Sequence, residues 1–171
     1  MGAVLSKEDI LDLLKRSPPL VECPVKLEDQ IQPNGIDLTV QTVALIASSG
    51  QMGFAAEERR LCSHSPLQCD ALGYIDLPAG CYVITYNEIL HLPKNVIALG
   101  KPRSSLLRCG VSMHTAVWDA GYSGRSQSLM VVYNPYGLRL GRDAKVLQLV
   151  FLLMTKESPE GYCGIFQGEN Y

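Results

Sequence analysis

Short apolar runs, separated by Gly, Pro, Asn and Ser, constrain the fold of this chain more than any other feature. The runs at 36–47, 80–86, 96–99, 128–133 and 145–154 are apolar or alternate apolar with polar residues, and they are rich in Val, Ile, Leu and Tyr. Such residues suit a pleated, half-buried surface, and the breakers between them suit turns. Many short strands in one chain predict a mainly β fold, a barrel or jelly-roll-like sandwich. A short N-terminal helix is expected over 6–16. Ser6 can cap its first amides with Asp9 three residues on, Ile10, Leu11, Leu13 and Leu14 supply an apolar face, and Pro18-Pro19 stop it.

The 171 residues, 47% of them hydrophobic, fill one core, so 1–171 reads as a single domain. Within it, 51–70 is more charged and less periodic and reads as an inserted loop or hairpin, free to move. The segment 157–171 reads as an irregular C-terminal tail. A net charge of −2 with no basic block argues against a nucleic-acid binder. No apolar run approaches the ~20 residues of a membrane span. The N-terminus lacks a signal peptide's basic head and apolar middle, so a cytoplasmic protein is expected. Met1-Gly2 with Ser6 matches a myristoylation pattern only weakly. Six scattered cysteines without a CxxC read as reduced, mostly buried small hydrophobes. Cys62, His64 and Cys69 form the one compact cluster of soft ligands, at a spacing unlike that of zinc sites.

Four segments carry groups suited to chemistry. In KPRSSLLRCGV (101–111), Arg103 offers a planar fork of donors and Ser104 and Ser105 offer hydroxyls, a set that suits phosphate oxygens or, equally, a solvated turn. A helical turn starting at Ser105 would bring Arg108 near. In HTAVWDAGYSGR (114–125), Asp119 reads as a turn-former or as a general base, Tyr122 as a ring to pack on a sugar or base, and Trp118 is the one tryptophan. Gln148 in VLQLVF (146–151) is an amide in an apolar strand and needs partners. Asp37 in NGIDLTV (34–40) reads as a cap or backbone-bonding group as readily as a metal-related one. A P-loop, the HxE–PCxxC set of zinc deaminases and a GxSxG elbow are all missing from the sequence.

Together these segments resemble the dUTPase and dCTP deaminase superfamily, in that superfamily's order. LSKEDILDLLKR with QPNGIDLTV resembles its N-terminal helix and first motif, the stretch through GKPRSSLLRCGV its phosphate-binding motif, VWDAGYSGR its catalytic hairpin, GLRLGRDAKVLQLVF the motif ending in a phosphate-contacting Gln, and GYCGIFQGENY the tail of the deaminase side. The resemblance implies a distorted jelly-roll, or β-clip barrel. It implies a homotrimer with sites between subunits, and Mg²⁺ carried by the triphosphate. It implies that Asp119 activates or positions the attacking water, and that Arg103, Ser104, Ser105 and Gln148 contact phosphates; Arg108, read above as a second cation beside Arg103, is expected to bind substrate as well. Tyr122 would lie beneath the deoxyribose, the backbone at 113–118, Trp118 included, would read the base edge, and Tyr162 and Gln167 would contact substrate from the tail. Asp37 would support the metal's water shell or the fold without ligating directly.

The superfamily's deaminases use a glutamate on the strand after the catalytic hairpin. No Glu occurs between Glu88 and Glu157, and Val131 or a neighbour stands where it would fall. Without that carboxyl, deamination lacks its general acid–base. The tail departs from both branches, with Ile165 for a Lys and Glu169 for a Gln, and the RSQS insertion resembles an archaeal-type dUTP diphosphatase. The expected reaction is therefore hydrolysis of dUTP to dUMP and pyrophosphate. The alternatives are a dCTP deaminase, mono- or bifunctional, and a non-catalytic deoxynucleotide-binding regulator.

Overall fold

A computed structural model describes residues 3–171, so the Met1-Gly2 pattern lies outside the described residues. In chain order the elements are α1 (Lys7–Leu14), β1 (Val21–Glu22), α2 (Leu27–Gln30), β2 (Ile31–Gln32), β3 (Gly35–Ile46), β4 (His64–Pro66), β5 (Tyr74–Leu77), β6 (Gly80–Tyr86), β7 (Ile89–His91), β8 (Val96–Pro102), α3 (Ser104–Arg108), β9 (Val111–His114), β10 (Ser123–Gly124), β11 (Gln127–Val132), β12 (Leu138–Gly141) and β13 (Lys145–Leu153). All five runs read as strands from the sequence are strands here. The helix is capped as expected, with Asp9 N donating to Ser6 Oγ and Ser6 N to Asp9 Oδ2. It ends at Leu14, short of the prolines.

The main sheet runs β8-β13-β3-β6-β11-β9, with β2 and β4 also on β3. β3 serves both halves of this path. Its first residues pair with β13 and its later ones with β6, and the register shifts between Val40 and Thr42. Such an irregularity bends a strand, which lets β3 pass from one layer to the other. α3 connects the two ends of the path, β8 and β9, so the sheet nearly closes on itself. This is the distorted β barrel expected from the sequence. The core between the layers holds Ile36, Leu38, Ile84, Met130, Leu147, Leu149 and Phe151, all fully buried. No helix among the described residues is long and apolar enough to cross a membrane.

One expectation is corrected. Cys23, Cys81, Cys109 and Cys163 are exposed and Cys62 and Cys69 only half-buried, all six unpaired. On β6 the pleat sends Tyr82 inward and therefore Cys81 outward. Among the described residues no three His, Cys, Asp or Glu side chains converge, so Cys62, His64 and Cys69 form no metal cluster. Of the loop or hairpin expected over 51–70, the structure has a hairpin at the base. β3 and β4 pair from Ala44↔Pro66 to Ile46↔His64, Ala47 N donates to Ser63 O, and Gln51 and Arg60 exchange backbone hydrogen bonds. Residues 46–64 therefore form a hydrogen-bonded arm.

The first half of β3 is buried on both faces, so its polar residues need partners. Asp37 is paired with Arg103. Thr39 donates through N and Oγ1 to Glu88, which also accepts from Gln30 Nε2, and the same Gln30 amide bonds the Asp37 carbonyl. Burial raises the pKa of Glu88, and the Thr39 and Gln30 bonds oppose that rise. A carboxyl raised in this way contributes stability that is complete below its unfolded value near 4.5 and is lost as pH rises through the folded value. Glu88→Gln removes this titration, so thermal melts between about pH 5 and 8 should show a smaller loss of stability with rising pH than in the parent. Phe151→Ala, at a fully buried position, should cost about 3–5 kcal/mol by denaturant unfolding.

Candidate active site

The residues singled out from sequence gather in two places, both reached from β8. The first lies where β8 ends. Arg103 caps α3, its N–H bonds the Val146 carbonyl, and its guanidinium reaches the buried Asp37 carboxylate. Gln32 Nε2 donates to the same carboxylate oxygen at 2.9 Å, while Asp37 Oδ1 is buried without a partner. Gln148 on β13 stands opposite Asp37 on β3 and Lys101 on β8. Directly opposed residues share a face of the sheet, so Gln148 lies between a carboxylate and a cation. A side chain at Gly35 would crowd Gln148 Nε2, at 3.2 Å. Ser104 and Ser105 are exposed at the start of α3, and Arg108 is exposed at its end. This is a row of donors open to an anion.

Asp37 is fully buried and committed to Arg103 and Gln32. It orients the arginine and does not face solvent.

The second place is the hairpin 115–125. Trp118 and Ala98 of β8 exchange both backbone hydrogen bonds, at 3.0 and 3.1 Å, which pins the hairpin to the strand. The Trp118 ring is buried in the core. Asp119 follows at an exposed position and closes a turn, its carbonyl accepting from Tyr122 N. It faces a cavity of about 540 Å³, a size typical of small-molecule sites. Val117, Trp118, Asp119 and Tyr122 form one wall, Tyr162, Phe166 and Glu169 of the tail a second, and Met52, Leu61, Cys62 and His64 of the arm a third. Burial and the Glu169 carboxyl push the Tyr122 hydroxyl up, so it stays a donor, and it bonds Glu169 Oε1 at 2.8 Å. Burial also raises Glu169. The Tyr162 ring meets Tyr122 edge-on.

The tail is irregular in backbone, as expected, but it is firmly docked on this hairpin. Tyr162 N bonds Ala120 O, Gln167 bonds Gly121 O and accepts from Ser123 N, and Gly168 N bonds Ser123 O. Gln167 thus holds the tail in place and does not line the cavity. Arg125 joins three segments. Its N–H bonds Glu169 O, and its guanidinium bonds Asn170 O on the tail and Tyr86 O and Asn87 O on the turn before β7. Ser123 Oγ meets both His91 Nδ1 and Tyr171 OH at 2.6 Å.

Several of these residues escaped the sequence reading. Arg125 ends the hairpin motif and Lys101 opens the phosphate-type motif, yet both contacts depend on strand register. Glu88, Gln30 and the arm's Met52 and Leu61 carried no local signal.

The dCTP deaminase-like family matches residues 4–154. This chain belongs to that family. It is 46% identical over 168 residues to a probable deoxyuridine 5'-triphosphate nucleotidohydrolase of Methanosarcina mazei, covering 98% of both chains. It is 40% identical, over the same shares, to one of Archaeoglobus fulgidus. A deoxyuridine 5'-triphosphate nucleotidohydrolase of Methanocaldococcus jannaschii is 35% identical over 142 residues, covering 82% of this chain and 89% of that one. Among solved structures, the 2'-deoxycytidine 5'-triphosphate deaminase of Agrobacterium tumefaciens shares the fold, with a TM-score of 0.66 at 20% identity over 88% of this chain. The chain spans about half of that structure's length, 48%.

Gly121 marks how closely the hairpin and tail approach. Its φ is +83°, and a Cβ there would lie 2.9 Å from Gly161 Cα and 3.0 Å from Tyr162 N. Gly121→Ala should cost about 1–2 kcal/mol from the left-handed backbone alone. It should also lift the tail, detected as faster limited proteolysis C-terminal to the barrel.

Proposed function

We propose that this protein hydrolyses dUTP to dUMP and pyrophosphate, and the observation that carries the reading is the character of β11 beside Asp119. The outward face of β11 presents Gln127, Leu129 and Val131, and its other face, Ser128, Met130 and Val132, enters the core. Neither face offers a carboxyl to shuttle protons at a cytosine amine. Of the two carboxyls on the cavity, Glu169 is held by Tyr122, and Asp119 has no such tie. The names of the Methanosarcina, Archaeoglobus and Methanocaldococcus relatives support the same chemistry.

In this mechanism Asp119 orients a water and draws its proton as the water attacks the α-phosphorus. Arg103, Ser104, Ser105 and Gln148 bind the phosphates, and Asp37 keeps Arg103 aimed. Arg108, at the end of α3, adds a second cation. Mg²⁺ carried by the triphosphate would neutralise phosphate charge beside Arg103, Ser104 and Ser105. Tyr122 lies beneath the sugar, which leaves no room for a 2′-hydroxyl. The backbone at 115–117 reads the base edge, since the Trp118 N–H and carbonyl are both taken by Ala98, and Tyr162 flanks Tyr122.

Distance within one chain supports an assembly of several chains. Ala98 pairs with Trp118, so Asp119 lies about six residues of extended strand from Arg103, on the order of 20 Å at ~3.3 Å per residue. A phosphate at Arg103 is then out of reach of a water at Asp119 in the same chain. A homotrimer, in which the Arg103 row of one subunit faces the hairpin of the next, closes that gap. Exposed apolar side chains such as Leu107, Val117 and Tyr133 suit burial between copies.

The test is a nucleotide panel with separate pyrophosphate and ammonia readouts. Pyrophosphate from dUTP and no ammonia from dCTP is the expected outcome, and ammonia from dCTP would establish the deaminase reading instead. Binding without either product would establish a regulator. Asp119→Asn should lower turnover on the order of 10²–10⁴-fold while triphosphate binding persists, and near-normal turnover would sink the role of Asp119. Light scattering should give three times the chain mass.

A further inference from the structure

We infer that the arm at 46–64 is the nucleoside-binding wall of the cavity, with Met52 and Leu61 as specificity-determining residues that hold the nucleoside half of the substrate. The inference rests on the diphosphatase reading above and adds the arm to it.

Three observations carry it. The first is placement. Met52, Leu61 and His64 line the same cavity as Asp119 and Tyr122, so anything bound against the catalytic hairpin also meets the arm. The second is charge. The cavity wall contains Asp119 and Glu169 and no Lys or Arg. That is the wrong electrostatic environment for a triphosphate and a suitable one for an uncharged nucleoside. The anion-binding donors lie instead at Arg103, Ser104 and Ser105. The arm has charged residues, Glu57, Glu58, Arg59 and Arg60, but none lines the cavity.

The third is the arm's internal satisfaction. Gln51 and Arg60 exchange backbone bonds, Gln51 Nε2 donates to Glu58 O, Ser63 N donates to Ser48 Oγ, and Ala55 N donates to Glu58 Oε2. The arm therefore holds its shape by its own hydrogen bonds. What it leaves unsatisfied is apolar. Met52 is 70% and Leu61 53% exposed, and both border the cavity. A flat pyrimidine ring covering them removes apolar surface from water on both sides. The polarizable thioether of Met52 suits an aromatic ring.

The experiment compares Met52→Ala, Leu61→Ala and the double variant with the parent, using three probes. These are dUTP turnover, binding of 2′-deoxyuridine alone, and competition by inorganic tripolyphosphate. Phe54→Ala, at the exposed tip and off the cavity wall, serves as the control. Both lining positions are largely exposed, so the unfolding midpoint should stay unchanged. In the double variant, KM for dUTP and Kd for 2′-deoxyuridine should each rise roughly 10-fold. Turnover number and tripolyphosphate competition should hold, and Phe54→Ala should match the parent. Unchanged deoxyuridine binding in the folded double variant overturns the inference. So does an equal loss in Phe54→Ala, or a loss confined to tripolyphosphate. Failure of the diphosphatase reading looks different, because the parent itself would release no pyrophosphate from dUTP.

Discussion

β3 is the constraint on which the rest of the molecule depends. It is twelve residues long, and it hydrogen-bonds to β13 before the register shift and to β6 after it. Its first half is covered on both faces, so Asp37 and Thr39 are taken out of water together with the apolar Ile36 and Leu38. Buried polar groups must find partners. Asp37 finds Arg103, Thr39 finds Glu88, and Gln30 ties the two together. The same strand then runs on to become one side of the arm. β3 thus anchors the phosphate-type row through Asp37 and runs on into the cavity's outer wall.

β8 performs the complementary task. Through Ala98 it fixes the hairpin that carries Asp119, and through Lys101, Pro102 and Arg103 it delivers the donors at α3. An extended strand is stiff along its length, so it holds these two centres apart as firmly as it holds each in place. That separation is what the proposed assembly of copies around each site answers. Arg125 and the docked tail complete the cavity from the other side, joining the hairpin, the turn at Tyr86–Asn87 and Glu169–Asn170 by backbone bonds.

Much of this was legible in the sequence because it is local. Alternation of apolar residues marked the five long strands, and the Ser6–Asp9 box marked α1. Polar residues in apolar company marked Asp37 and Gln148. The shorter strands β1, β2, β7 and β10 gave no such signal. They are two or three residues long and exist because a neighbouring strand offers hydrogen bonds. The cysteines were misread for the related reason that a residue type's average burial does not say which face of a pleat it takes.

The sequence by itself determined the β class, the capped helix, the family and the identity of the chemically able residues, Asp119 and Arg103 above all. These follow from residue type and near-neighbour spacing, which the chain carries before it folds. Tertiary structure alone decided that Asp37 is the buried counter-ion of Arg103, that Gln167 latches the tail, that Glu88 is buried against Thr39, and that the 46–64 arm borders the cavity. Each of these is a contact between residues brought together by strand register and layer packing, and no local pattern encodes which distant partner a buried group will meet.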